Sequence, residues 1–333
     1  MTSVVKYLAG AAAAVGFIGS AQAADPLTLQ LKWVTQAQFA GYYVAQDKGF
    51  YDEEDLDVTI KAGGPDINPS QVIAGGGADV VVDWMPSALA TREKGVPLVN
   101  IAQIFQKSGL MLTCRKDTGI ETPEDFKGHT LGVWFGGNEY PFLSWMSTLG
   151  YSTEGSDPDV TVLKQGFNVD PLLQEQAACI STMTYNEYWQ LIEAGMSADE
   201  LIVFKYQDQG VSTLEDGLYT LEASLEDPAM VDKLARFVRA SVKGWQYAAE
   251  NQDETVEIVL ANDATGAQTE EHQTTMIQEI AKLLEGSDKG MGYLSVEDYE
   301  RTVQVLLGSD SAPVITEEPE GAYSHAVYEA AFE

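Results

Sequence analysis

The sequence predicts an α/β protein of two units, the second inserted into the first. Three features predict it: short β-rich runs alternate with helical ones from Leu27, the alternation restarts at Leu110, and one short strand after Asp216-Gly217 precedes a mostly helical remainder. Among 333 residues, 45% are hydrophobic, enough for a core and for about two domains.

Leu27 to Trp33 reads as the first strand, Gly41 to Asp47 as a helix that Gly49 stops, and Val58 to Lys61 as the second strand. Asn68 before Pro69 has the form of an N-cap and first helical position, opening a helix to Ala74. Val80 to Val82, a helix from Pro86 to Lys94, and Val99 to Phe105 complete the first unit, read as a parallel sheet flanked by helices. The second unit starts with strand Leu110 to Arg115. In Thr122-Pro123-Glu124-Asp125, Thr caps, Pro takes the first helical position and the acids suit the positive helix end. Strand Thr130 to Trp134, helix Pro141 to Leu149, strands Val160 to Leu163 and Cys179 to Met183, helix Glu187 to Glu193 and strand Leu201 to Phe204 follow.

Leu218 to Thr220 returns the chain to the first unit. Helices over Val231 to Glu250, Val256 to Leu260, Thr274 to Leu284 and Val296 to Leu307 carry apolar residues at three- and four-residue spacing, the mark of one buried face. Ser295 to Asp298 resembles a capping box with Asp in place of Glu, and Thr316 to Gly321 reads as an exposed acidic loop. The expected lobes are 24–109 with 217–333, and 110–216. Two crossings, near Ser108 to Leu110 and Glu215 to Leu218, are expected to act as hinges and to leave a ligand cleft between the lobes.

Residues 1–23 have the form of an export signal. Lys6 is the positive start, Leu8 to Ile18 the short apolar run, and Ala21-Gln22-Ala23 a small-x-small cleavage site. Cleavage after Ala23 is expected to release a soluble protein into a bacterial periplasm; a retained anchor is the other reading, but the run falls short of the roughly 20 residues that span a bilayer. No Cys lies near the cleavage point to carry a lipid.

A formal charge of −32 disfavours nucleic acid and anionic lipid as partners. Cys114 and Cys179 lie on strand-like stretches, where two buried thiols are expected ahead of a bridge between neighbouring strands. Their spacing, and the scattered His129, His272 and His325, give no metal pattern, and no cofactor is expected.

Ligands of open parallel sheets sit beyond the carboxyl ends of strands, so four segments stand out. They are Trp33 to Phe39, Asp83-Trp84, Gly136 to Tyr140 and Thr184 to Trp189. Aromatic faces would stack on a flat, uncharged or weakly basic ring, while carboxylates and amides pair with its edge. Any one aromatic can instead plug the rim of the core. Gly136-Gly137 gives a weak phosphate signal: there is no P-loop lysine or GxGxxG, and Glu139 would repel an anion. Asp83 argues the same way, with no Arg in the four segments, and no GxSxG, HExxH or nucleophile beside a histidine base suggests an enzyme.

The chain resembles periplasmic substrate-binding proteins of ABC transporters, and within them the family that binds pyrimidine precursors of thiamine. The resemblance is carried by LKWVTQAQFAGYYVAQDKGFY (31–51), VIAGGGADVVVDWMP (72–86), TPEDFKGHTLGV (122–133), GGNEYPF (136–142) and TYNE (184–187). It implies a type II-like fold of two Rossmann-like lobes, a small-molecule ligand, an inner-membrane ABC permease as partner, and a monomer that catalyses nothing. Related families with this fold bind sulfonates, taurine, nitrate or riboflavin. A fungal enzyme of pyrimidine synthesis is also similar, but its cysteine-rich motif is absent here.

The resemblance implies that Trp33 and Tyr185 stack on the ring and that Asp83, Asn138 and Glu187 hydrogen-bond to it. Glu187 could instead cap the helix that starts there, and Tyr42 and Tyr188 could instead face the core. Gln38, Trp84 and Glu139 complete the candidate set.

Overall fold

Residue 1, residues 23–308 and residues 313–333 are described by the computed structural model; the export-signal reading of residues 2–22 lies outside the described residues. The strands are β1 (Asp25–Gln30), β2 (Leu56–Lys61), β3 (Val80–Asp83), β4 (Leu98–Gln103), β5 (Leu110–Arg115), β6 (Thr130–Val133), β7 (Thr161–Lys164), β8 (Cys179–Met183), β9 (Leu201–Lys205) and β10 (Gly217–Leu221). The helices are α1 (Ala40–Asp47), α2 (Pro69–Ala74), α3 (Met85–Glu93), α4 (Tyr140–Thr148), α5 (Asp170–Leu173), α6 (Glu187–Glu193), α7 (Pro228–Glu250), α8 (Gln252–Asn262), α9 (Glu270–Ala281), α10 (Val296–Leu307) and α11 (Ala326–Phe332).

Two five-stranded sheets form, in the orders β2-β1-β3-β10-β4 and β7-β6-β8-β5-β9. Each repeats one plan, in which β1 or β6 lies between the next two strands in sequence. Both are mixed, which corrects the expectation of parallel sheets: β10 runs antiparallel to β3 and β4, and β5 antiparallel to β8 and β9. The reason is directional. β4 and β9 both leave their sheets on the side where the sheets face each other, so the next strand enters the other sheet from that side and runs away from it. A parallel strand would need a helical crossover at that point.

Local signals act where the sequence places them. Asn68 accepts from the Gln71 N–H ahead of Pro69, and Ser295 accepts from Asp298 N–H. Thr122 and Asp125 cap each other reciprocally. Asp227 caps α7, whose Leu234, Phe237, Val238, Ser241, Trp245 and Ala248 recur at helical spacing and are buried. Helices α1 and α7 cross so closely that a Cβ on Gly244 would stand 2.1 Å from Gly41 O. The short α5 and α11 were not read from the sequence, being only four and seven residues long.

Cys114 and Cys179 are opposite each other in the β5/β8 register and form a disulfide, which corrects the expectation of two thiols. Only the pairing of β5 with β8 makes them neighbours, across 65 positions of sequence.

Candidate functional site

The carboxyl ends of β1 and β3 face those of β6 and β8 across a small cavity. These are the points where strand order reverses in each sheet, and there the divergent connections leave room for a ligand. After β1 the wall is made by Lys32, Trp33, Gln36 and Gln38, and after β3 by Trp84. The facing unit supplies Trp134 and Asn138 after β6, and Met183, Tyr185, Asn186 and Glu187 at the end of β8.

Six sequence candidates are thus brought together: Trp33, Gln38, Trp84, Asn138, Tyr185 and Glu187. The other four stand outside the lining. Tyr42 is buried in the core, edge-on to Trp245 at 5.6 Å. Asp83 is wholly buried and engaged by Lys32 Nζ (2.9 Å), Ser70 Oγ (2.7 Å), Ser87 Oγ (3.2 Å) and the Trp84 N–H (2.8 Å). Those four donors leave it organising the wall from behind. Glu139 accepts from the Gly137 N–H at 2.7 Å, and Tyr188 packs against the second sheet and edge-on to Trp189.

Gln36 and Asn186, within two of the four segments but outside the candidate set, also line the cavity, as do Lys32, Trp134 and Met183 from outside those segments. Lys32 is the instructive omission, because it puts a cation beside Asp83 where the four segments hold no Arg. It lies one residue before the Trp33 segment, inside the stretch Leu27 to Trp33 read as the first strand. The strand ends at Gln30, and Lys32 turns inward onto Asp83 with its ammonium 5.2 Å from the centre of the Trp84 ring.

A second buried carboxylate braces two of the lining side chains. Asp216 accepts from Gln38 Nε2 at 2.7 Å and Trp84 Nε1 at 3.1 Å, and Gln36 Nε2 in turn donates to Gln38 Oε1 at 2.7 Å. The Asp216 backbone is left-handed, at φ 40°, a conformation unusual outside glycine. Glu187 accepts from the Met183 N–H at 3.0 Å and from Asn186 Nδ2 at 2.8 Å. It therefore ties the start of α6 to the end of β8 while also lining the cavity.

Both crossings meet here. Glu215 accepts from Ser108 Oγ (2.5 Å), the Gly109 N–H (2.9 Å) and the Leu110 N–H (3.2 Å), joining the segments expected as hinges through one buried carboxyl. His272 on α9 reaches across to Asn186 Oδ1 and Glu193 Oε1, both at 2.8 Å. Gly137 (φ 103°) abuts the first turn of α3, where a Cβ would stand 2.6 Å from Ser87. Its glycine serves a close approach of the two units.

Burial pushes Asp216 up to about 6, against the Gln38 hydrogen bond and the Lys32 charge. It pushes Glu187 up to about 7 against its backbone donors and Asn186, and Glu215 up to about 8 against Ser108 and Gly109. Each carboxyl binds its proton more firmly folded than unfolded. The stabilisation is complete below the ordinary carboxyl range and is lost as pH rises through about 6, 7 and 8. The melting temperature of the ligand-free protein is expected to fall between pH 5 and pH 8, and Glu215→Gln to flatten that fall. An equal slope in the variant would remove Glu215 from the account.

Two mixed sheets, joined by two strand crossings and meeting around a cavity at their switch points, define the periplasmic binding protein fold. Solved structures agree on the fold: the periplasmic aliphatic sulphonate binding protein SsuA from Escherichia coli superposes with a TM-score of 0.59 at 12% identity, covering 77% of this chain and 79% of that one. A protein from Bordetella bronchiseptica RB50 superposes at 0.68 with 19% identity, over 92% and 96%. The chain belongs to the NMT1/THI5-like family, whose profile matches residues 36–255.

Among curated relatives, the formylaminopyrimidine-binding protein of Halalkalibacterium halodurans is 26% identical over 89% of this chain and 90% of its own length. The riboflavin-binding protein RibY of Chloroflexus aurantiacus is 25% identical over 70% and 65%. A 4-amino-5-hydroxymethyl-2-methylpyrimidine phosphate synthase of Legionella pneumophila is 24% identical over 70% and 72%. Binding proteins and synthases thus both occur among the relatives. No described helix is long and apolar enough to cross a membrane, and no described group of three His, Cys, Asp or Glu is placed to hold a metal ion.

Proposed function

We propose that the chain is the solute-binding component of an ABC importer. Its ligand is a small heteroaromatic nutrient, a thiamine pyrimidine precursor of the hydroxymethylpyrimidine or formylaminopyrimidine type. The observation that carries this reading is the cavity between the switch points, walled by Trp33, Trp84, Trp134 and Tyr185 and edged by Glu187. Flat faces suit a planar ring, and a buried carboxyl suits the donors of an aminopyrimidine edge.

The lobes are 24–109 with 217–333, and 110–216, turning about the Glu215 junction; ligand favours the closed form by touching both. No bond is made or broken, and the closed form is handed to an inner-membrane permease as a monomer. Export to the periplasm, with residues 1–23 as the signal, is supported by the Cys114–Cys179 disulfide, since such bonds persist in oxidising compartments. The full-length likeness to a formylaminopyrimidine-binding protein supports the ligand class.

A sulfonate or nitrate ligand is disfavoured because Lys32, the cation in the lining, is already paired with Asp83. Native mass spectrometry of protein purified from its own cells is expected to show a co-purified pyrimidine. A bound flavin or sulfonate, or conversion of an added pyrimidine, would displace this reading.

A further inference from the structure

Lys32, Trp33 and Asn138 line this cavity and also a second pocket, framed by residues 64–69 of one unit and by Phe135 and Gly136 of the other. They stand where a substituent on a bound ring would pass from one chamber to the other. Two polar groups at this junction have hydrogen-bonding capacity to spare. An ammonium carries three N–H donors, and the one hydrogen bond Lys32 makes among the described residues is to Asp83 Oδ1 at 2.9 Å. Its side chain is only 7% exposed, so water does not readily serve the rest. Asn138 donates Nδ2 to Phe135 O at 3.1 Å, which sets the orientation of its amide, and its Oδ1 is buried without a partner. A buried donor and a buried acceptor on the wall of one cavity are costly when unmatched.

Resting on the pyrimidine reading above, we propose that this junction recognises a secondary amide on the ligand. The ring occupies the aromatic cavity, the amide carbonyl accepts from Lys32 Nζ, the amide N–H donates to Asn138 Oδ1, and a small acyl group enters the outer chamber. A protonated amine in the same place would meet the Lys32 ammonium. A hydroxymethyl arm has one oxygen for both groups and leaves the outer chamber unfilled. A full anion would face a cation that Asp83 already neutralises.

The test is titration calorimetry with three probes: formylaminopyrimidine, its deformylated primary amine and the corresponding hydroxymethylpyrimidine. The wild-type protein is expected to bind the amide at least about tenfold more tightly than either of the others, the worth of one charge-assisted hydrogen bond. Asn138→Ala, and Lys32→Met combined with Asp83→Asn to keep the pair neutral, are each expected to reduce that ratio to about threefold or less. Equal or tighter binding of the amine or the hydroxymethyl compound by the wild type overturns the proposal, and that arm needs no variant to fold. So does an equal loss for all three probes in the variants, which a merely structural role would give. Binding without selectivity defeats this inference alone, whereas failure of all three to bind defeats the pyrimidine reading and takes the inference with it.

Discussion

Trp33→Ala is expected to weaken binding of a pyrimidine ligand by about 1.5 to 3 kcal/mol, roughly ten- to a hundredfold in Kd, through lost stacking and apolar burial. Trp33 is half-buried at the mouth of the cavity, on the loop after β1, and Tyr185 stands on the loop after β8. Ring against ring across the two units is what would make closure depend on ligand. Because Trp33 lies at the edge of the first core, its loss should leave the thermal unfolding midpoint of the ligand-free protein within a few degrees of wild type. Tyr185 is a poorer probe, being 1% exposed and edge-on to Phe105 at 6.2 Å, so truncation there would also cost core packing. Calorimetric titration with an unchanged Kd in Trp33→Ala would take Trp33 out of the site.

Breaking the disulfide is expected to have the largest effect on stability. Cys114 and Cys179 are wholly buried and close a loop across 65 positions, which ties β5, the strand arriving from the first unit, to β8, the strand that leads into Tyr185 and Glu187. In the chain-entropy description such a crosslink is worth about 2–4 kcal/mol. Cys114→Ala with Cys179→Ala should lower the denaturant midpoint accordingly. The wild-type protein treated with reductant after partial unfolding should match the variant. Saturating ligand should raise the midpoint of both, since it binds only the folded form. Coincident unfolding curves for variant and wild type would show that the bridge adds nothing.

Most strands and helices were legible because the signals for them are local. Asn68-Pro69, Thr122-Pro123 and Ser295 mark helix starts whose caps form within four residues, and strands β5 and β8 coincide with the apolar runs Leu110 to Arg115 and Cys179 to Met183. The candidate site was legible as four strand ends, because ligands of such sheets gather there. Which residue at each end faces inward was not. Asp83 and Trp84 are adjacent, yet the indole reaches the cavity while the carboxylate is consumed by Lys32, Ser70 and Ser87, drawn from three other points of the chain. Tyr42 and Tyr188 have the chemistry of a stacking wall, but helix geometry turns both into cores.

Sequence by itself determined the α/β class, the interruption of one unit by another and the strand ends at which the candidate site lies, since capping, periodicity and turn preference act over a few residues. Only the tertiary structure decided the antiparallel entry of β5 and β10, the union of Cys114 with Cys179, the inward turn of Lys32 and the meeting of both crossings at Glu215. Each of these depends on contacts between segments far apart in the chain, whose geometry is set by how the two sheets face one another.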